Sequence, residues 1–215
     1  MIGAPFLVSF SVAAGVWARM TWQEAVSSVP AVVALTLVCG GFQCAVMDVM
    51  VQAKLIGILV GGQLVLTGVF KALPGPFKAK PLLAAFEFTT TIFCMWMSYR
   101  GLMLCIDNLF SSDFAAEDVE ERMYGSNPTA GYNNNVLAAF VFFELAMLIV
   151  LPEMRTWDAV LHHVAVCIVC SFTFWPRPFA MFYAPYYSGM QELSSVPLGL
   201  VDIFKQFPST QSDYP

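Results

Sequence analysis

Charged residues are scarce in this sequence. They make up 12% of its 215 residues, while hydrophobic residues make up 58%, and an ordinary soluble domain carries about 25% charged residues. The longest polar interval, about 107–129, is too short to form a separate soluble module. These shortages exclude a water-soluble enzyme domain and predict an integral membrane protein. The net charge of −5 also argues against a nucleic-acid partner.

Histidine is nearly absent, since the chain has two, and they are adjacent. Two histidines cannot supply a histidine-rich di-iron centre, and neighbours on one helix cannot hold a haem between facing helices. A G-x-S-x-G nucleophile elbow is also missing. The six cysteines lie in or beside apolar runs, so we interpret them as small buried residues, including the C-x-x-C pair Cys167 and Cys170. We therefore predict no metal and no cofactor.

Long apolar runs are abundant. A helix needs about 20 mostly apolar residues to cross a bilayer, and six or seven stretches approach that length. The runs are 4–18, which is weak, 29–47, 55–73, 82–105, 133–150, 157–175 and 179–201. We expect an all-α, polytopic transmembrane bundle of about six to seven spans. The proline-rich linker 74–81 ends an N-terminal region, 1–81, and precedes a second region, 82–215, within one compact membrane domain.

The basic residues predict how the bundle is oriented. If all seven runs span, one side carries Arg19, Lys71, Lys78, Lys80, Arg155 and Lys205, and the other carries Lys54, Arg122 and Arg177. Because loops rich in lysine and arginine stay in the cytoplasm, we expect the C-terminus inside and the acidic loop outside.

A few ionisable residues interrupt the apolar runs. Each costs at least about 2.5–3.5 kcal/mol on insertion scales, so each suggests a function. In WDAVLHHV, Asp158 and His162 are four residues apart and share a helix face, so the acid can orient or charge the imidazole. His163 points about 100° away. Asp158 could instead be a helix N-terminal acid, and Glu144 and Glu192 could be polar anchors between helices.

The order of these features resembles the TLC domain, which is shared by ceramide synthases, translocon-associated membrane proteins and ceroid-lipofuscinosis-related proteins. The resemblance rests on an acid in FVFFEL, Glu144, on the doublet His162 and His163, and on an E-x-S element, Glu192 and Ser194. It covers roughly residues 82–201. The ceramide synthases have a further His-Asp element where this chain reads QELSS, and the chain is shorter than the family at its C-terminus.

The resemblance implies a protein that binds or handles an acyl or sphingoid lipid, without ceramide synthase activity. The alternatives are a non-catalytic accessory subunit of a larger membrane complex and an acyltransferase. The resemblance implies lipid contacts by His162, His163, Glu144, Glu192 and Ser194, and any catalysis would use His162, His163 or Asp158. It also implies the endoplasmic reticulum, although another organelle membrane such as the mitochondrial inner membrane is open, and membrane lipids or other membrane subunits as partners.

Overall fold

A computed structural model describes residues 21–110, 118–174 and 179–207, apart from the side chains of 108–110, 181 and 185. Within these ranges all regular secondary structure is helical. The first apolar run, 4–18, and the basic residues Arg19 and Arg177 lie outside the described residues.

The described helices differ widely in length. The α-helices are α1 (Trp22–Val26), α2 (Val29–Val46), α3 (Val49–Ala72), α4 (Pro81–Phe110), α5 (Val119–Tyr124), α6 (Pro128–Val150), α7 (Trp157–Phe172), α8 (Ala184–Tyr187) and α9 (Ser195–Gln206). Three 3-10 helices accompany them, at Pro76–Ala79, Met181–Tyr183 and Met190–Leu193.

Four segments are long and apolar enough to cross a membrane. They are α2, α3, α4 as far as Asp107, and Val119–Val150, which contains α6. The protein is thus a helical membrane protein with four candidate spanning helices among the described residues. Helix α7 is apolar but has only 16 residues. The described residues thus confirm a helical bundle with four long candidate spans and do not confirm the predicted six to seven.

The predicted last span, 179–201, is not one helix. It is broken into two 3-10 helices, α8 and the start of α9. The broken segment nevertheless runs the length of α4. Near one end the Ala180 amide donates to the Met123 carbonyl at 2.6 Å, and at the other the rings of Phe77 and Phe207 lie 5.0 Å apart.

The bundle has two ends of different charge. Helices α3 and α6 end, and α4 and α7 begin, at what we call the basic end, defined by Lys71, Lys78, Lys80, Arg155 and Lys205. There Lys80 Nζ lies 3.1 Å from Glu153 Oε1. The pKa of Glu153 is lowered by its own backbone N–H and then by Lys80. The opposite, acidic end is defined by Asp48, Asp107, Asp118, Glu120 and Glu121.

Helix α3 begins six residues earlier than the sequence analysis predicts. Asp48 is its N-cap, and the carboxylate accepts hydrogen bonds from the backbone amides of Met50 and Val51. Gln52 and Lys54, which precede the predicted run 55–73, therefore lie inside the helix. Asp48 therefore has a local structural role as a helix cap.

Three glutamines attach the N-terminal hairpin to the rest of the bundle. The side-chain amides of Gln43, Gln52 and Gln63 donate to the carbonyls of Ala138, Asn135 and Leu82 respectively. Polar side chains hydrogen-bond between helices because the hydrocarbon offers them no water. Helix α6 receives two of these bonds and is the most buried of the long helices.

Candidate functional site

A small polar cavity lies between α4, α6, α7 and the broken segment. Its volume is about 110 Å³. The lining residues are Thr90, Cys94, Phe140, Val141, Glu144, His162, His163, Val166, Glu192 and Ser195. The cavity thus combines residues from four different parts of the fold.

The centre of the cavity is an acid and imidazole pair. His163 Nδ1 on α7 lies 3.4 Å from Glu144 Oε2 on α6, and Glu144 is only 7% exposed. The Thr90 hydroxyl on α4 donates to Glu144 Oε1 at 3.4 Å. The Nδ1 atom is buried and makes no aligned hydrogen bond in the described chain, so Glu144 is its nearest acidic partner.

A second carboxylate enters from the broken segment. Glu192 lies in the 3-10 helix Met190–Leu193, and the Cys94 thiol on α4 donates to its Oε2 at 3.4 Å. Both glutamates line the same cavity. Within the described lining no lysine or arginine balances them, so the cavity offers hydrogen-bond acceptors and an imidazole.

Helix lengths fix the depth of this site. Glu144 stands six residues before the end of α6, and His163 stands six residues after the start of α7. At 1.5 Å per residue, both lie about 9 Å from the basic end. With the helix ends taken as the edge of a hydrocarbon layer about 30 Å thick, the site lies inside that layer, in the half nearer the basic end.

The inward histidine is His163, whereas the periodicity argument had paired His162 with Asp158. The inward stripe of α7 carries buried Val160, Cys167 and Cys170 together with His163, whose side chain is 14% exposed. The spacings are three, four and three residues. Asp158 and His162 lie on its exposed side, and no ion pair joins them in the described structure. His162 still borders the cavity, with its ring centroid 5.4 Å from that of His163.

Asp158 and Ser194 are outside the cavity. Asp158 is an exposed residue in the first turn of α7, where a carboxylate is favoured by the helix dipole. Ser194 is exposed and donates its hydroxyl to the Gln191 carbonyl at 2.9 Å. The next residue, Ser195, lines the cavity instead. The 3-10 helix Met190–Leu193 ends and α9 begins at these two serines. This change of helix type determines that Ser195, and not Ser194, faces the cavity.

Sequence reasoning missed the contribution of α4. Thr90 and Cys94 are one turn apart and present a hydroxyl and a thiol to the cavity. In the sequence, the only indication that the two residues share a site was their spacing of four residues, which puts them on one helix face. Glu87, one turn earlier, is 3% exposed, and its Oε1 has no hydrogen-bond partner among the described residues. Glu87 does not line the cavity.

The cavity suits a small polar group and not a whole lipid. Typical small-molecule pockets enclose about 300–1,000 Å³, several times this volume. In the described parts of the chain no three histidine, cysteine, aspartate or glutamate side chains are arranged to hold a metal ion. The chemistry available is hydrogen-bond acceptance and proton transfer by His163.

The fold and site together define a helical integral membrane protein with a buried acid and imidazole pair. No family model, curated protein or solved structure matches the chain. The class of protein therefore rests on the fold and the site.

Proposed function

We propose that this protein binds the polar head of a single-chain lipid in the Glu144–His163 cavity, as a TLC-like lipid-handling protein. The observation that carries the proposal is the lining: two glutamates and an imidazole, without a described lysine or arginine. Such a lining accepts hydrogen bonds and favours positive charge. An amino-alcohol head of the sphingoid type fits this chemistry better than a carboxylate or a phosphate does.

The size and depth of the cavity support the same ligand class. A volume of about 110 Å³ holds an amine and neighbouring hydroxyls but not an acyl chain. Because the site lies within the apolar layer, the chain of the lipid can remain in the bilayer. His162 is exposed and borders the cavity, so the head would enter beside it.

Binding of a long-chain amine tests this function. Purified protein in mild detergent is titrated with sphingosine, and bound lipid is counted by native mass spectrometry. Glu192→Gln and Glu144→Gln each remove a carboxylate while keeping the side-chain shape, so we expect affinity to fall roughly tenfold, as for loss of a hydrogen bond to a charged group. Palmitate should bind more weakly than sphingosine.

Asp158→Asn is the matched control, because it removes an exposed carboxylate from the same helix as His163. This variant should bind sphingosine like the wild type. Equal affinity in Glu192→Gln, Glu144→Gln and wild type would contradict the proposal.

Acyl transfer is a second candidate, favoured by the proximity of His163 to Glu144. A histidine held by an acid can take a proton from an attacking amine. Incubation of the protein with an acyl-coenzyme A and sphingosine would then yield a long-chain amide, and His163→Ala would abolish it. The QELSS stretch in place of a His-Asp element favours binding without this reaction.

A structural accessory role is a third candidate, favoured by the outer face of α3. Gly57 and Gly61 form a G-x-x-x-G pair, and a Cβ placed on either would meet no atom within 4 Å. Small residues allow close approach of another transmembrane helix. Migration of the native protein in a large stoichiometric assembly after mild extraction would favour this role. The Gly57→Leu variant would then migrate separately from that assembly.

The location and the number of passes belong to the same proposal. We infer six crossings in the described chain: α2, α3, α4, α6, the shorter α7 and the broken segment 179–206. The TLC resemblance favours the endoplasmic reticulum.

A further inference from the structure

Arg100 lies within a candidate membrane span and has no acidic partner among the described residues. It lies on α4, is half-buried, and donates from Nη2 to Asn133 Oδ1 at 3.3 Å. Its Nε is buried and has no hydrogen-bond partner in the described structure. A guanidinium has five N–H donors, so most of its hydrogen-bonding capacity is unused. Buried charges are normally paired.

Asn133 adds a second unsatisfied donor beside it. The side chain is 0% exposed, and Nδ2 is buried without a hydrogen-bond partner among the described residues. Oδ1 of the same amide accepts from Arg100, so the amide is in contact with the guanidinium. The pair therefore has an excess of donors and lacks a negatively charged acceptor.

Arg100 and Asn133 lie in the half of the bundle nearer the acidic end. Asn133 stands five residues after the start of α6, which places it about 8 Å from that end of the helix. Exposed aromatic residues surround this level: Tyr99, Tyr132 and Tyr186 are 60%, 48% and 39% exposed. Tyrosine and tryptophan concentrate where the bilayer meets water.

We propose that Arg100 and Asn133 form a binding site for the phosphate group of a phospholipid at the acidic end of the bundle. The planar guanidinium can offer two parallel N–H donors to phosphate oxygens, and Asn133 fixes the plane of that fork. Because Arg100 is only half-buried, a headgroup can reach it from the bilayer. The exposed tyrosines around the site favour a lipid over free phosphate.

This site is independent of the Glu144–His163 cavity. The two lie toward opposite ends of the bundle, and their chemistry is opposite: the cavity presents acceptors, and Arg100 and Asn133 present donors. Failure of one proposal therefore leaves the other standing.

Native mass spectrometry of protein exchanged into phosphatidylglycerol nanodiscs tests the proposal. Wild-type protein should retain phosphatidylglycerol, and Arg100→Gln should reduce its retention roughly tenfold or more, as expected for loss of charged hydrogen bonds. Lys54→Gln is the matched control, since Lys54 is an exposed basic residue toward the same, acidic end of the bundle. This variant should retain lipid like the wild type. Diacylglycerol, which lacks the phosphate, should not be retained.

Two further arms keep the test decisive. Arg100→Lys keeps the charge but loses the planar pair of donors, so retention of phosphatidylglycerol should fall severalfold. If Arg100→Gln does not yield monodisperse protein, the test rests on the Arg100→Lys variant. Equal retention by wild type and Arg100→Lys would overturn the proposal. Inorganic phosphate should not displace the lipid at millimolar concentration, and displacement would assign the site to free anions instead.

Discussion

Asn133, Asn134 and Asn135 show how single residues connect this bundle. Successive residues on a helix point about 100° apart, so these three amides reach three different helices. Asn133 accepts from Arg100 on α4, and Asn135 accepts from Gln52 on α3. Asn134 donates to the Cys170 carbonyl at the end of α7 and to the Thr173 hydroxyl. In hydrocarbon every polar group needs an internal partner.

Asn134→Ala should destabilise the protein. The side chain is 0% exposed, and its removal breaks the link between α6 and α7 and leaves a cavity. We expect the free energy of unfolding to fall by about 1–2 kcal/mol, measured by equilibrium unfolding in detergent. Gln191→Ala, at an exposed position, is the control and should change little. An unchanged free energy of unfolding in Asn134→Ala would show that the hydrogen bonds of Asn134 do not stabilise the protein.

The candidate site was partly predictable from single residues. The sequence pointed to Glu144, Glu192 and the histidine doublet because ionisable groups stand out in apolar runs. It could not identify the inward histidine, since that depends on how α7 is rotated against α6, and periodicity within one helix does not determine this. It also overlooked Arg100 and the amides, whose partners are far away in the chain.

At the scale of elements, the contact between α4 and the broken segment determines the position of Glu192. Gly101 meets Gly189 so closely that a Cβ on Gly101 would lie 2.5 Å from the Gly189 Cα. That obstacle is backbone and cannot rotate away. Glu192 follows three residues after Gly189, so this approach holds its carboxylate at the cavity.

Gly101→Ala should therefore displace the broken segment and weaken both stability and sphingosine binding. Alanine favours helices over glycine by up to about 1 kcal/mol, so any loss must come from the clash. Gly62→Ala is the matched control, because a Cβ there meets no atom within 4 Å, and it should be neutral or slightly stabilising. Thermal unfolding and native mass spectrometry measure both effects. Equal behaviour of the two variants would show that α4 and the segment are not in close contact.

Helix boundaries were predicted best where the composition of the chain changes sharply. The interval 29–47 matches α2 within one residue, because its composition changes sharply at both ends. The start of α3 was missed because Asp48 caps the helix and polar Gln52 and Lys54 continue it. The interval 179–201 is apolar enough for a span, yet composition does not reveal breaks such as the one at Gly189.

At the scale of the whole molecule, the two polar sites lie in opposite halves of the bundle. The glutamates lie toward the basic end and Arg100 toward the acidic end. The basic end carries five described lysines and arginines, Lys71, Lys78, Lys80, Arg155 and Lys205, against three toward the other end, Lys54, Arg100 and Arg122. By the positive-inside rule we expect the basic end to face the cytoplasm, and the proposed sphingoid head would then be bound from the cytoplasmic leaflet.

Cysteine labelling in sealed vesicles tests this orientation and the number of crossings together. Lys78→Cys, Ser126→Cys and Lys205→Cys are each made in a variant whose native cysteines are replaced, and a membrane-impermeant maleimide is added from the cytoplasmic side. Lys78→Cys should react and Ser126→Cys should not, until the membrane is permeabilised. Lys205→Cys decides whether the broken segment crosses: if it does, the residue reacts like Lys78→Cys, because 179–206 returns the chain to the basic end. Protection of Lys205→Cys together with reaction of Lys78→Cys would show that the segment does not cross, and the Glu192 side of the cavity would then need a different account.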